Sequence, residues 1–489
     1  MRRQNTISFA GGCQRSPAKA VWGVAAILWL ALAPRAGADG GAPGAERGPG
    51  ETGSEFFRRL SKMNVEACFS LNWRTVGPRY PQYETQIQNE VYLADMYFGL
   101  NGPFIDRVPF QVEWNMPTSN QGEIRLNQLN FSYDRIDNLR LQFGKFLVPF
   151  GRYNELYRPD QFLTVTRPLL YASPDSLDLV IRVNSPRPPV SVGYTDIGGR
   201  ASFYPPTENA LVPDELTLYV VNGLGEASNR QRTFPNTDNL GVPPVPGNGA
   251  TIDFGHQDNN LADNNNNKAF GGRLVWAVGD VRFPWPVPEG VLDVNGLSFG
   301  LSGMGGQYDL EGGNNYQIYG ADVSFDYRGY NISGEYVYST TQFLSPLETT
   351  LSSTTAPTQV RDFETDYGYF VQASFPVIRK PGIGQRVNGV LVFNRMYRRG
   401  PALDLFSNAT VNGTLFTSLD AFNPTAGRVT TRIDKYTAAL NWQLTDHFHL
   451  KLDYSYWTMG RASTHNINPL NPNGLTDIYQ WALSVVAGF

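Results

Sequence analysis

The chain has 489 residues, a formal net charge of -4, 13% aromatic residues, 49 glycines and 34 prolines. A net acidic chain with no basic block excludes nucleic acid as a partner. Beyond the N-terminal region no apolar run is long enough for a membrane helix, and the mean hydropathy of -0.32 is far too low for a helical membrane protein. At the start, Arg2, Arg3, Arg15 and Lys19 precede an apolar run over 20–33, then Pro34 and the small-residue site Ala36-Gly37-Ala38. A basic head, a short apolar core and an A-x-A-like exit predict a secretory signal peptide over residues 1–38. Its removal takes five basic and no acidic residues, so the charge falls from -4 to -9. Cys68 is then the only thiol, so no internal disulfide can form. Residues 39–63 begin rich in Gly, Pro and Glu and read as a flexible periplasmic segment, with a short helix over 56–63.

From residue 64 onward a two-residue period takes over. Val65, Ala67, Phe69, Leu71 and Trp73 alternate with smaller or polar residues, as do Val108, Phe110, Val112, Trp114 and Met116. Ile124 and Leu126 give way to Leu129, Phe131 and Tyr133, a parity slip that predicts a bulge. Tyr319 to Tyr327 alternate cleanly, Arg328-Gly329 forms a turn, and Tyr330, Ile332, Tyr336 and Tyr338 return. Tyr367 to Phe375 and Tyr436 to Leu444 repeat the pattern, and a turn near Thr445-Asp446 leads into Phe448 to Tyr456. Three polar tracts, 222–268, 345–363 and 400–427, lie between strands. Between 173 and 221 repeated prolines blur the boundaries.

The last strand alternates Tyr479, Trp481, Leu483, Val485, Ala487 and Phe489 with smaller or more polar residues. A strand with one apolar side at the very end of a chain suits the last stave of a closed barrel in lipid, where every edge must be paired. The pattern predicts an all-β protein: a transmembrane antiparallel β-barrel of about 16 strands (16–18), with long extracellular loops and short periplasmic turns. A barrel of that size leaves a water-filled channel. The terminal Trp481, Leu483, Val485 and Phe489 also resemble the sorting signal that bacterial outer-membrane proteins present to their assembly machinery.

The segment 139–170, LRLQFGKFLVPFGRYNELYRPDQFLTVTRPLL, resembles the phosphate-selective porin O/P family. YGADVSFDYRGYNISGEY (319–336), DYGYFVQASFPV (366–377) and LNWQLTDHFHLKLDYSY (440–456) are similar to it as well. The resemblance implies a 16-stranded outer-membrane porin, homotrimeric, with a loop over 151–177 folded into the pore. It implies passive diffusion of small hydrophilic solutes, phosphate or other anions among them, and no cofactor.

An anion channel needs fixed positive charge at its narrow point, where a low-dielectric wall magnifies each charge. The loop supplies Arg152, Arg158 and Arg167, whose planar forks suit phosphate or carboxylate. The alternative is that Glu155 and Asp160 pair with these arginines and only brace the loop. Strand parity adds Arg125, Arg140, Arg182, Lys435 and Lys451 to the lumen, along with Asp322, Asp326, Glu335 and Asp453, a wall of mixed sign. Lys145 shares the lipid-side parity of Leu139, Leu141 and Phe143, so it either snorkels at the interface or is turned inward by a bulge. His447 and His449 lie two apart on one strand face without a third ligand, which favours a structural role over a metal site. No nucleophile–base pairing marks catalysis. The rival readings are a barrel hydrolase of lipase or protease type, and a closed structural or adhesive barrel.

Overall fold

The computed structural model describes residues 63–77, 89–105, 108–117, 124–171, 190, 193–206, 212–226, 252–253, 268–279, 295–308, 315–327, 329–346, 359–379, 386–401, 403–411, 414–422, 428–445, 447–460 and 477–488. The signal peptide (1–38), the segment 39–62, Arg182 and Phe489 lie outside the described residues.

The strands are β1 (Asn64–Gly77), β2 (Asn89–Ile105), β3 (Val108–Pro117), β4 (Arg125–Ile136), β5 (Leu139–Leu147), β6 (Thr195–Phe203), β7 (Glu215–Val221), β8 (Gly225–Glu226), β9 (Ile252–Asp253) and β10 (Ala269–Gly279). They continue with β11 (Asn295–Gln307), β12 (Asn315–Tyr327), β13 (Tyr330–Pro346), β14 (Gln359–Arg379), β15 (Arg386–Pro401), β16 (Leu403–Val411), β17 (Thr414–Phe422), β18 (Arg428–Thr445), β19 (Phe448–Gly460) and β20 (Asp477–Gly488). Sixteen of them form one closed antiparallel barrel in chain order, without β8, β9, β16 and β17. Closure is made by β20 against β1, from Cys68 opposite Gly488 to Gly77 opposite Tyr479. The protein is a transmembrane β-barrel at the lower end of the expected strand count.

Alternation decides which face each residue takes. Along β12 exposed and buried residues strictly alternate from Asn315 to Ser324. The outer wall is apolar: Phe270 is 68% exposed, Leu218 59%, Phe143 57% and Leu391 54%. Such a surface belongs in hydrocarbon, where a closed ladder satisfies every backbone polar group without water. Trp481 is among the exposed residues of β20, while Ala482, Ser484 and Val486 are buried on the opposite face. The connections divide between two ends, with exceptions to the expected long and short lengths: 280–294 between β10 and β11 is long and 308–314 between β11 and β12 is short. The one between β5 and β6 and the one between β7 and β10 are long and share one end, the loop end. At the other end, the turn end, β4 meets β5 through Asp137-Asn138 and β12 meets β13 at Gly329.

The predicted bulge is present: the register between β3 and β4 shifts at Glu113/Trp114, and Asn127 and Gln128 are both buried. All three tracts expected to be polar loops contain strand: 222–268 holds the short β8–β9 pair. Ser345 and Pro346 end β13, Gln359 begins β14, and 400–427 holds the β16–β17 hairpin. In addition, His447 is a turn residue and not a member of the strand that carries His449.

Candidate pore constriction

The connection after β5 does not stay at the rim. Pro149 cannot extend the ladder because it has no N–H, and the Val148 N–H reaches back to the Tyr194 carbonyl at 2.9 Å. Asn154, fully buried, closes the base twice, donating to the Val148 carbonyl and accepting from the Tyr194 N–H, both at 2.9 Å. Between lie a four-residue helical turn, α1 (Arg152–Glu155), and a 3-10 turn over Leu169–Tyr171. Gly151 precedes α1 at φ 69°, and a Cβ there would collide with Glu335 and Tyr171.

Inward-facing side chains from around the barrel hold this loop across the lumen. From β19, Asp453 accepts from the Val165 N–H (2.8 Å), the Thr166 N–H (2.7 Å) and the Thr166 hydroxyl (3.1 Å). Lys451 beside it donates to the Pro159 carbonyl at 2.6 Å and to that of Phe162. Lys435 of β18 donates to the Arg167 carbonyl at 2.7 Å, and Asn394 of β15 accepts from the Leu169 N–H at 3.2 Å. Glu335 of β13 accepts from the Tyr171 hydroxyl and from the Tyr153 N–H at 3.2 Å. On the facing wall Glu113 of β3 accepts from the Tyr157 hydroxyl at 2.6 Å. Burial raises the phenol pKa of Tyr153, Tyr157 and Tyr171, so the last two stay protonated as donors.

The loop also has a dry seat. Phe150, Tyr153, Phe162, Leu169, Leu170 and Tyr171 join one buried cluster with inward residues of the wall, among them Ile318, Val337, Phe370, Val392, Met396 and Ile433. Tyr153 stacks on Phe162 at 5.1 Å and on Tyr171 at 5.2 Å. Gly320 leaves room for the Phe150 ring, which would lie 3.1 Å from a Cβ. The expected water-filled channel with a wall of mixed sign is therefore corrected in part: one sector of the lumen is apolar and filled by the loop.

The expected cations are distributed unequally. Arg158 is paired with Glu66 of β1 at 2.5 Å and Arg167 with Asp95 of β2 at 2.8 Å, so their charges are compensated by the wall and not, in the main, by Glu155 or Asp160. Lys435 and Lys451 face inward as parity requires, but both are almost wholly buried beneath the loop as its anchors. Arg140 forks onto Asp134 at 2.9 and 3.2 Å near the β4–β5 turn, away from the loop. Arg125 lies opposite the buried Asn115 and shares its inward face. Lys145 is 2% exposed and donates to the Leu126 carbonyl at 2.9 Å. Gly144 before it, at φ 115°, breaks the alternation and turns Lys145 inward, while the register to β4 and β6 runs through 143–145 without a shift; the turn is made by the glycine, and neither a bulge nor snorkelling operates.

Arg152 stands apart. It donates to the Ser298 hydroxyl of β11 at 3.1 Å and forms no ion pair among the described residues. Arg200 of β6, opposite Gln142 and Tyr219 on the inner face, likewise has no ion pair there; it lies 5.8 Å from the Phe146 ring. Glu155 opens to the lumen and lies 3.6 Å from Arg273, which is held mainly by Asp322 at 2.6 Å. Burial raises the Glu155 pKa above the usual carboxylate value, with Arg273 opposing. Neither Arg200 nor Arg273 was evident from sequence. Arg273 could have been found, because Phe270, Leu274 and Trp276 alternate around it. Arg200 follows Gly198-Gly199, where no side chains mark a face.

No family model and no curated protein matches the sequence. Among solved structures, OmpF of Salmonella typhi has a TM-score of 0.44 at 10% identity, over 87% of this chain and 97% of that one. The anion-selective porin from Comamonas acidovorans has a TM-score of 0.42 at 10% identity, over 87% and 99%. The outer membrane channel DcaP of Acinetobacter baumannii has a TM-score of 0.43 at 9% identity, over 87% and 97%.

Proposed function

We propose that the protein is a bacterial outer-membrane porin for passive diffusion of small hydrophilic solutes, with a preference for anions such as phosphate. The observation that carries this reading is the loop anchored inside a closed, externally apolar barrel, with Arg152 and Arg200 in the lumen and in no ion pair among the described residues. A side chain that is cationic at every relevant pH, in a narrow low-dielectric passage, raises the local anion concentration without tight binding. The arginine fork gives phosphate or carboxylate two parallel donors during transit. Arg158, Arg167, Lys435 and Lys451 belong to the frame that holds the loop, and Arg152 with Arg200 to the filter. The proposal includes export by the signal peptide 1–38, assembly through the terminal Trp481, Leu483, Val485 and Phe489, and a homotrimer; the mass of the detergent-solubilised complex tests the last.

The test is the reversal potential of the purified protein in a planar bilayer under a salt gradient. The wild type is expected to be anion-selective, and Arg152→Ala with Arg200→Ala to reduce that preference severalfold. Absence of channel events removes the diffusion reading. A reversal potential of cation-selective sign, or one that the double variant leaves unchanged, removes the filter.

A further inference from the structure

We infer that the outer wall of β15 and β18 carries a binding site for the phosphate of an anionic lipid headgroup in the leaflet at the loop end. The site rests on the membrane reading above and not on solute selectivity. Three arginines, Arg395, Arg399 and Arg432, take the outward parity of these strands. The orientation is fixed independently by their neighbours: Asn394 and Lys435 both bond to the loop in the lumen, so Arg395 and Asp434 beside them point away from it. Arg398, inward, is 1% exposed and paired with Glu364, and Arg399 next to it is exposed.

The height of the cluster identifies the occupant. Leu391, Leu440, Trp442 and Leu452 give an apolar outer belt. Above it Phe393, Tyr436 and Tyr456 form an aromatic row, with ring centroids 5.0 and 6.5 Å apart. Aromatic rows of this kind mark the boundary between hydrocarbon and headgroups. The arginines follow immediately on the loop side. Arg395 lies two residues past Phe393, and Arg432 lies four residues beyond Tyr436 towards the loop end. At about 3.3 Å per residue and the tilt of a barrel strand, both fall roughly 5–10 Å above the aromatic row, the depth of a headgroup layer.

The charge is complementary to an anion. One carboxylate, Asp434, serves two guanidiniums: Arg395 forks onto it at 2.7 and 3.2 Å, and Arg432 approaches at 3.3 Å. Asp434 is 3% exposed beneath them, while the Arg432 side chain remains 46% exposed. The patch keeps a net positive charge, and Arg395 and Arg432 are pre-positioned with N–H groups unused by Asp434. A phosphate at this height would accept from both forks while its acyl chains lay along the belt below. A lumen solute cannot reach the patch, because the wall separates them.

The test uses the full-length protein in nanodiscs of phosphatidylcholine doped with phosphatidic acid, transferred to detergent and examined by native mass spectrometry. The wild type is expected to retain phosphatidic acid over phosphatidylcholine. Each arginine near an anionic headgroup layer adds to retention, so Arg395→Gln, Arg399→Gln and Arg432→Gln together should lower it by about a hundredfold, and by no less than about tenfold. The triple lysine variant, which keeps the charge, should retain part of it and controls for folding. Millimolar inorganic phosphate should not displace the lipid; displacement would assign the site to free phosphate. Unchanged retention in the glutamine variant, or a loss of oligomer mass with lipid retention unaltered, overturns the proposal; the second result would assign the face to another copy of the chain. Bilayer conductance of the glutamine variant should equal wild type, so failure here is distinct from failure of the channel reading.

Discussion

Replacing Asp453 by alanine should release the constricting loop without opening the barrel. Asp453 is 0% exposed and accepts three hydrogen bonds from Val165 and Thr166 at 2.7–3.1 Å. A hydrogen bond to a charged acceptor contributes roughly 1.5–3 kcal/mol, and a buried N–H left without a partner costs about 1–3 kcal/mol. Lumen water can reach the vacated position and replace part of this, so a net loss of about 3 kcal/mol in loop docking is a reasonable expectation. That corresponds to a shift of about a hundredfold in the docked-to-undocked ratio. The β19 ladder is untouched, because only a lumen-facing side chain changes. Single-channel recording should show a larger conductance with added open-channel noise, and limited proteolysis should cut between 158 and 171 where the wild type resists. Conductance and protease resistance equal to wild type, in a variant that still forms a barrel, would refute the assignment of Asp453 as a loop anchor.

Gly320→Leu should have a related effect by a steric route. Its side chain must displace Phe150, an overpacking cost of about 1–3 kcal/mol, and raised conductance noise is the readout. For pH, the sign follows from Glu155: its raised pKa means that it becomes neutral at higher pH than an ordinary carboxylate, leaving Arg152 and Arg200 less opposed. Anion preference in reversal-potential measurements should therefore strengthen as pH falls, and Glu155→Gln should remove that pH step. Phe143→Arg places a charge on the outer wall at a residue 57% exposed, which should cost about 2–4 kcal/mol in urea unfolding from lipid vesicles if it faces hydrocarbon near the midplane. A neutral result would speak against a lipid-facing wall at that strand.

The barrel was legible because its rule is local. Alternation along β12 or β18 can be read from the residues alone, and the slip between Leu126 and Leu129 announced its bulge. The loop's seat was not legible, because parity assigns a face without saying what covers it. Ile318, Val337, Phe370 and Met396 interrupt the polar inner face, and that interruption was the available signal of a dry sector. The loop arginines were found, but their partners Glu66 and Asp95 lie 92 and 72 residues away in sequence, and no spacing reports such pairs. Lys145 depended on one glycine: the positive φ of Gly144 is a tertiary fact, since its backbone lies against Leu129 and Asn130 of the neighbouring strand. The β16–β17 hairpin was hidden by the polar composition of 400–427.

The anchors of the loop have a kinetic consequence. Val165 and its acceptor Asp453 are 288 residues apart, and Pro159 and its donor Lys451 are 292 apart. Such distant partners meet only once the C-terminal staves have arrived, and contacts of long sequence separation form late. During assembly the nascent ring must pass through a stage in which 148–171 has no berth and its aromatic side chains are uncovered. Seating of the insert thus waits on β19, the last stave but one, and the finished constriction is a record that the C-terminal staves have arrived.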